Sequence, residues 1–196
     1  MTANQSDASI HHDPAHANYH DQLDYNDTHI HSVTAVSDSD IAERIVTANA
    51  HCTKQGVRFT PLRERVYRLI LQADKPIGAY DLMQQVQDER TEQARQTGDT
   101  SEAKRVAPPT VYRTLEFLLE QGFIHQLTSK NAYVPCCHPR HAHTAIFLLC
   151  KSCEAVQEFG DLSVSGLLAD IKQLAGFAVQ DGVMEFQGLC AKCQVA

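Results

Sequence analysis

Apolar residues recur at helical spacing through the middle of the 196-residue chain, and in short alternating or wholly apolar runs through its last third. From Asp38 onward, Ile41, Ile45 and Ala48 form one stripe behind a capping Ser39 or Asp38, and Gly56 supplies a stop. Thr60 followed by Pro61 predicts a second helix start, with Leu62, Val66, Leu69 and Ile70 inward. Residues 74–78 read as a turn, and a third helix is predicted over 79–87 with Leu82, Met83 and Val86 buried. Residues 88–107 are charged, hold Gly98 and offer few apolar anchors, which predicts a frayed helix end and a loop. Pro109 sits at the start of a further helix that Gly122 ends, with Val111, Leu115, Leu118 and Leu119 on one face. Two short strands at 123–127 and 132–135 flank the polar turn 128–131. Beyond Thr144 the pattern predicts a strand at 145–149, a strand at 156–159 and an amphipathic helix over 162–174. A hairpin of 177–179 with 183–186 is predicted around Asp181-Gly182.

Short helices followed by a hairpin are the order of a winged helix-turn-helix, whose last helix enters the DNA major groove by its N-terminal residues. Thr110, Tyr112 and Arg113 lie there, off the apolar stripe. The expected fold class is therefore α+β. A winged-helix DNA-binding domain spans 38–136, and a small α/β unit spans 137–196. A unit that small needs metal or dimerisation to supplement its core. Residues 1–37 are rich in His, Asp, Asn, Ser and Thr, and read as a disordered tail. Its His12, His16 and His20 make a weak zinc-collecting segment the sharper reading of that tail.

The formal net charge of −7 looks unfavourable for a nucleic-acid partner until it is divided along the chain. Residues 1–40 hold seven Asp and no Lys or Arg; residues 41–125 hold twelve Lys/Arg against eleven Asp/Glu; residues 126–196 hold five against six. The acidity belongs to the N-terminal segment, so local placement of Arg decides the matter. No apolar run approaches the roughly 18 residues of a membrane span, and no secretory signal pattern opens the chain. A cytoplasmic location follows as the expectation, where thiols stay reduced and paired cysteines point to metal.

Four of the seven cysteines form two matched knuckles, Cys150-x-x-Cys153 and Cys190-x-x-Cys193. Four soft thiolates at this spacing suit a closed, tetrahedral structural zinc. A second set is looser: Cys136, Cys137, His125, His138, His141 and His143, with Glu158 nearby in sequence. A site drawn from it takes ligands from both sides of the domain boundary and fixes the angle between the two units. Enzymatic signatures are missing: there is no His-x-Glu, no His-Glu-x-x-His, no Gly-x-Ser-x-Gly elbow and no P-loop. No small-molecule substrate is expected.

Taken in order, GVRFTPLRERV (56–66), PPTVYRTLEFLLEQGFIH (108–125), NAYVPC (131–136), HTAIFLLCKSCEAVQE (143–158) and GLCAKC (188–193) resemble the ferric uptake regulator superfamily, most closely its zinc uptake regulator branch. The resemblance implies a homodimeric, metal-dependent repressor that binds double-stranded operator DNA, with a C-terminal α/β dimerisation domain. It maps a structural zinc onto Cys150, Cys153, Cys190 and Cys193, and a regulatory site onto His125, Cys136, His143 and Glu158. That makes two zinc ions per subunit. Tyr112 and Arg113 match the pair that meets bases, and Tyr80 matches a further DNA contact. The 88–107 segment is longer than the family pattern, and Cys137-His138-x-x-His141 duplicates ligand types. Cys136 is preferred because it follows Tyr-Val-x, and His143 because Thr144 follows it. A thiolate with two imidazoles and a carboxylate is a zinc set rather than an iron or manganese one. Iron-responsive repression and zinc storage by the histidine-rich tail are the competing expectations.

Overall fold

The computed structural model describes residues 30–33, 36–98, 106–137, 139, 144–159, 164–179 and 182–194. Four helices build the first unit: α1 (Asp38–Lys54), α2 (Pro61–Gln72), α3 (Ala79–Thr97) and α4 (Pro108–Glu120). Ser37 caps α1 by accepting from the Asp40 N–H at 3.3 Å, in place of the Ser39 or Asp38 expected from the sequence. Thr60 caps α2, with Pro61 in its first turn. The helices close over Tyr67, Leu82, Leu115, Leu118 and Phe123, each almost fully buried. Thr114 is buried as well, and its hydroxyl donates to the Thr110 carbonyl at 2.9 Å instead of facing outward.

A three-stranded antiparallel sheet follows in the order β2-β4-β3, from β2 (Ile77–Gly78), β3 (Ile124–Leu127) and β4 (Ala132–Pro135). The turn between β3 and β4 is a 3₁₀ turn, Thr128–Lys130, closed by Asn131 at φ 48°. That left-handed conformation suits Asn better than most residues. All four residues of β4 are buried, because both faces of this wing are covered. Ile124 and Tyr133 join the helical core, while Leu127 and Val134 join a second core with Ala145, Phe147, Leu149 and Val156.

The second sheet runs β1-β6-β5-β7, from β1 (Ile30–Ser32), β5 (Thr144–Cys150), β6 (Val156–Phe159) and β7 (Gly182–Gly188). β6 is antiparallel to both neighbours, and β7 is parallel to β5. Helix α5 (Ser165–Ala175) lies between β6 and β7 in sequence, and a short helical turn α6 (Ala191–Gln194) follows β7.

Four expectations are corrected. α3 continues to Thr97, ten residues beyond the predicted 87, and ends at Gly98 in the left-handed region with φ 72°. Polar side chains one turn apart support this stretch where apolar ones are few: Gln84 donates to Asp88 at 3.0 Å and Gln96 to Glu92 at 3.0 Å. Ile77–Gly78, read as part of a turn, forms a strand on β4. The hairpin at 177–186 does not form: 177–179 is not a strand, and β7 instead pairs along seven residues of β5. A parallel pair needs a long crossover, which no local turn signal reports. Finally, the end of the supposed tail is part of the fold. Ile30–Ser32 pairs with β6, and Val33 donates to the Val156 carbonyl at 3.1 Å and is buried. Residues 1–29, with His12, His16 and His20, lie outside the described residues.

Phe123 touches three rings, those of His51, Phe59 and Tyr67, with centroids 5.7, 6.2 and 5.5 Å away. Phe123→Ala is expected to cost about 3–5 kcal/mol by loss of contact plus cavity, measured as the shift in urea unfolding.

Candidate metal centres and nucleic-acid face

The first cluster assembles at the end of the second sheet. Cys150 is the last residue of β5, and Cys153 lies in the turn that leaves it. The backbone of that turn is fixed by Glu154, whose N–H donates to the Cys150 carbonyl at 3.1 Å and whose φ is 60°. Cys190 follows β7, and Cys193 sits in α6. The parallel pairing of β5 with β7 ends at Cys150 opposite Gly188, which delivers both knuckles to the same place. All four Sγ atoms lie within 4.8 Å of one another, and Cys153 Sγ is 3.7 Å from Cys190 Sγ. Four thiolates about 2.3 Å from a zinc ion stand about 3.8 Å apart, so the donor set fits the ion. Backbone N–H groups of Cys153, Cys190 and Ser152 point at Cys150 and hold its thiol down, at about 6. Cys193 is held up at about 11: the Ser152 hydroxyl pulls it down, but contacts to Cys190, Cys153 and Cys150 outweigh that. A bound cation would favour the thiolate forms of the four cysteines together.

The second cluster is buried between the two sheets. His125 is on β3, Cys136 directly follows β4, and Glu158 is on β6. Their donor atoms lie within 4.8 Å of one another. His125 Nε2 is 3.4 Å from Glu158 Oε1, and the His125 ring packs edge-on against Phe147 at 5.4 Å. Glu158 is 0% exposed and Cys136 is 1% exposed, so two potential anions share a buried site. Such a pair is costly unless a cation or protons neutralise it. Burial opposes a charge on His125, but hydrogen bonds to Cys136 and Glu158 prevail and hold its pKa at about 9. The other Glu158 oxygen, Oε2, accepts from the Cys137 N–H at 2.9 Å. Arg44 Nη1 donates to the Cys136 carbonyl at 2.8 Å, which ties α1 to the same corner. A thiol, an imidazole and a carboxylate converging in a dry site fit zinc by donor type.

Of the two adjacent cysteines, Cys136 contributes its sulfur to this group. The Cys137 thiol is pushed strongly up, by burial first and then by Glu158. His143, His141 and His138 lie outside the described residues. In the helical unit, Tyr112 is 53% exposed and Tyr80 is 70% exposed, and Thr110 and Arg113 are exposed too. Tyr112, Arg113 and Thr110 stand on the first turns of α4, and Tyr80 on the first turn of α3.

The family model described as "Ferric uptake regulator family" matches residues 54–187. The chain belongs to this family. The zinc uptake regulation protein of Escherichia coli (strain K12) is 38% identical over 152 residues, covering 77% of this chain and 81% of that protein. The zinc uptake regulation protein of Mycobacterium tuberculosis (strain H37Rv) is 28% identical over 142 residues, covering 71% and 96%. Among solved structures, a zinc uptake regulator complexed with zinc and DNA matches with TM-score 0.67 and 35% identity, over 79% of this chain and 95% of that one. The crystal structure of holo XcZur matches with TM-score 0.65 and 37% identity, over 79% and 99%. These relatives are regulators rather than enzymes, and the expected α+β fold with a winged-helix unit is the fold they share.

Within this ferric uptake regulator family chain, several groups around the centres carry no sequence signal of their own. Phe147 is one apolar residue among several in β5, yet its ring is the wall of the His125 pocket. Arg44 is 92 residues from the carbonyl it reaches. Lys75 pairs with Glu154 at 2.9 Å, joining the two units on an exposed edge where such pairs contribute little.

Cys150→Ser is expected to reduce bound zinc by one ion per subunit and to loosen β7 from β5. Elemental analysis and amide exchange along 182–188 check this; full protection there with one zinc lost would show that the strands hold without the cage.

Proposed function

We propose that this protein is a zinc-responsive DNA-binding repressor of zinc uptake and homeostasis genes, acting in the cytoplasm as a homodimer with two zinc ions per subunit. The buried His125–Cys136–Glu158 set carries the reading, because the first two belong to the wing and the third to the C-terminal sheet. Cys150, Cys153, Cys190 and Cys193 would hold the structural zinc; His125, Cys136 and Glu158, with His143, would hold the regulatory one. Zinc in the second site supplies the positive charge that the dry carboxylate and thiolate need. Without that charge, Glu158 and Cys136 cannot both ionise at low cost, and the wing is held to the sheet less firmly. The winged units then sample several orientations, and only the closed one presents two α4 helices at half-sites about one DNA turn apart.

The exposed Tyr112, Arg113 and Thr110 would meet bases, and Tyr80 the backbone or an adjacent base. The two zinc uptake regulation proteins and the zinc–DNA complex described above support zinc as effector and DNA as partner. A second copy of the chain is supported by the C-terminal unit, where Leu167 (49%), Leu174 (86%), Phe177 (64%), Val183 (45%) and Phe186 (55%) are exposed. That much apolar surface on so small a unit is covered most simply by its symmetry mate.

The deciding measurement is DNA binding by fluorescence anisotropy against buffered free zinc, iron and manganese. Zinc alone is expected to induce tight binding, and Cys136→Ser to abolish the response while retaining the four-thiolate zinc. An unaltered zinc response in Cys136→Ser overturns the sensor assignment, and a response to iron in its place overturns the choice of metal. Arg113→Ala is expected to weaken operator binding by about 1–3 kcal/mol and to relax specificity at one base position, with zinc binding unchanged. Equal losses on operator and random DNA would make Arg113 a phosphate contact instead.

A further inference from the structure

One transverse row of the second sheet runs Glu158 on β6, Phe147 on β5 and Glu185 on β7, because Phe147 is the direct strand partner of both carboxylate residues. This row meets β3 and the turn after it. Glu158 and Phe147 take His125, as described above. Glu185 takes residues of the 3₁₀ turn that follows this strand. The Thr128 N–H donates to Glu185 Oε1 at 2.7 Å, the Ser129 N–H reaches Oε2 at 3.3 Å, and the Ser129 hydroxyl donates to the same carboxylate. His125 and Thr128 are three residues apart, so these holds lie about 10 Å apart at the usual strand rise.

We infer that Glu185 is a positioning residue of the sensor: a metal-independent latch on the wing that fixes the angle of the winged helix on the C-terminal sheet. The inference deepens the repressor reading and rests on it. The apolar packing of Leu127 and Val134 on the second core is not directional, so a single polar attachment at the regulatory centre leaves the wing able to swing about it. A second attachment 10 Å away, on the scale just given, removes the swing. Glu185 suits the task because one charged acceptor gathers three donors, two of them backbone N–H groups whose position is set by the 3₁₀ turn. Glu158's hold on the wing depends on what neutralises the buried centre, whereas Glu185's does not. The latch therefore contributes in the closed arrangement whether or not zinc is present. It lowers the differential affinity that zinc has to supply.

The test places two labels, on non-cysteine handles, at the exposed positions Gln93 on α3 and Asp170 on α5. Label-to-label distance distributions are then measured in zinc-loaded and zinc-depleted full-length protein. The zinc-loaded parent is expected to give a narrow distribution. Glu185→Ala is expected to broaden it and to weaken operator binding about five- to tenfold, the scale of a charge-assisted hydrogen-bond set. Bound zinc at saturation and dimer mass stay at parental values. The paired change Thr128→Pro with Ser129→Ala removes two of the three donors from the wing side, the Thr128 N–H and the Ser129 hydroxyl, and is expected to act in the same direction without touching β7. Proline is tolerated there because Thr128 opens the 3₁₀ turn behind an extended Leu127. If both variants keep the narrow distribution and the parental affinity, Glu185 is not a latch. If Glu185→Ala disturbs the dimer, the wing variant decides alone. A parent without any zinc-dependent DNA binding would defeat the repressor reading, while the distance distributions would still decide the latch.

Discussion

A carboxylate with no access to water lies where the wing meets the C-terminal sheet, and the arrangement of the two units depends on how its charge is met. Glu158 gains one partner from β3, the imidazole of His125, and one from the chain after β4, the N–H of Cys137. The nearby Cys136 sulfur adds a second potential anion to this buried carboxylate. A cation bound there would offset the burial of both. Ion binding there would bear on how the two domains dock.

Packing makes the dependence global. The wing is a sheet buried on both faces, with Ile124 and Tyr133 turned to the helices and Leu127 and Val134 turned to the second core. The orientation of α4 is thus transmitted through a rigid, closely packed ribbon to the C-terminal sheet. The four-thiolate cluster serves a different end. A metal held by the four cysteines would fasten the edge strand β7 and the turn after β5, in a unit whose α5 and β7 leave large apolar side chains uncovered. A unit that small has little core to spare, and a metal staple with a symmetry mate is a physically economical supplement.

Local chemistry was readable wherever neighbouring residues carried it. The Thr60-Pro61 start, the α4 stripe, the β3–β4 hairpin and both Cys-x-x-Cys knuckles follow from caps, periodicity and ligand spacing, and each stands where those signals put it. The misreadings share one cause, which is stabilisation by something distant in sequence or by polar pairs. α3 outran its apolar stripe on glutamine and carboxylate contacts one turn apart. Ile30–Ser32 lies in a polar, acidic stretch and becomes a strand because β6 offers it an unpaired edge. Asp181-Gly182 looked like a hairpin turn, but β5 had a free side and took β7 as a parallel partner.

What the sequence determined by itself was the inventory: helices ending in a hairpin, two thiolate knuckles, and a reserve of imidazole, thiol and carboxylate between them. Those are properties of short segments, set by backbone propensity and by the reach of side chains a few residues apart. Which members of the reserve converge was decided only by the tertiary structure. Cys136 rather than Cys137 turns its sulfur to His125 because β4 alternates faces, and Glu158 reaches them because β6 is aligned on Phe147 of β5. Strand register and sheet packing are long-range facts, fixed by the burial of two shared cores and not by any local pattern.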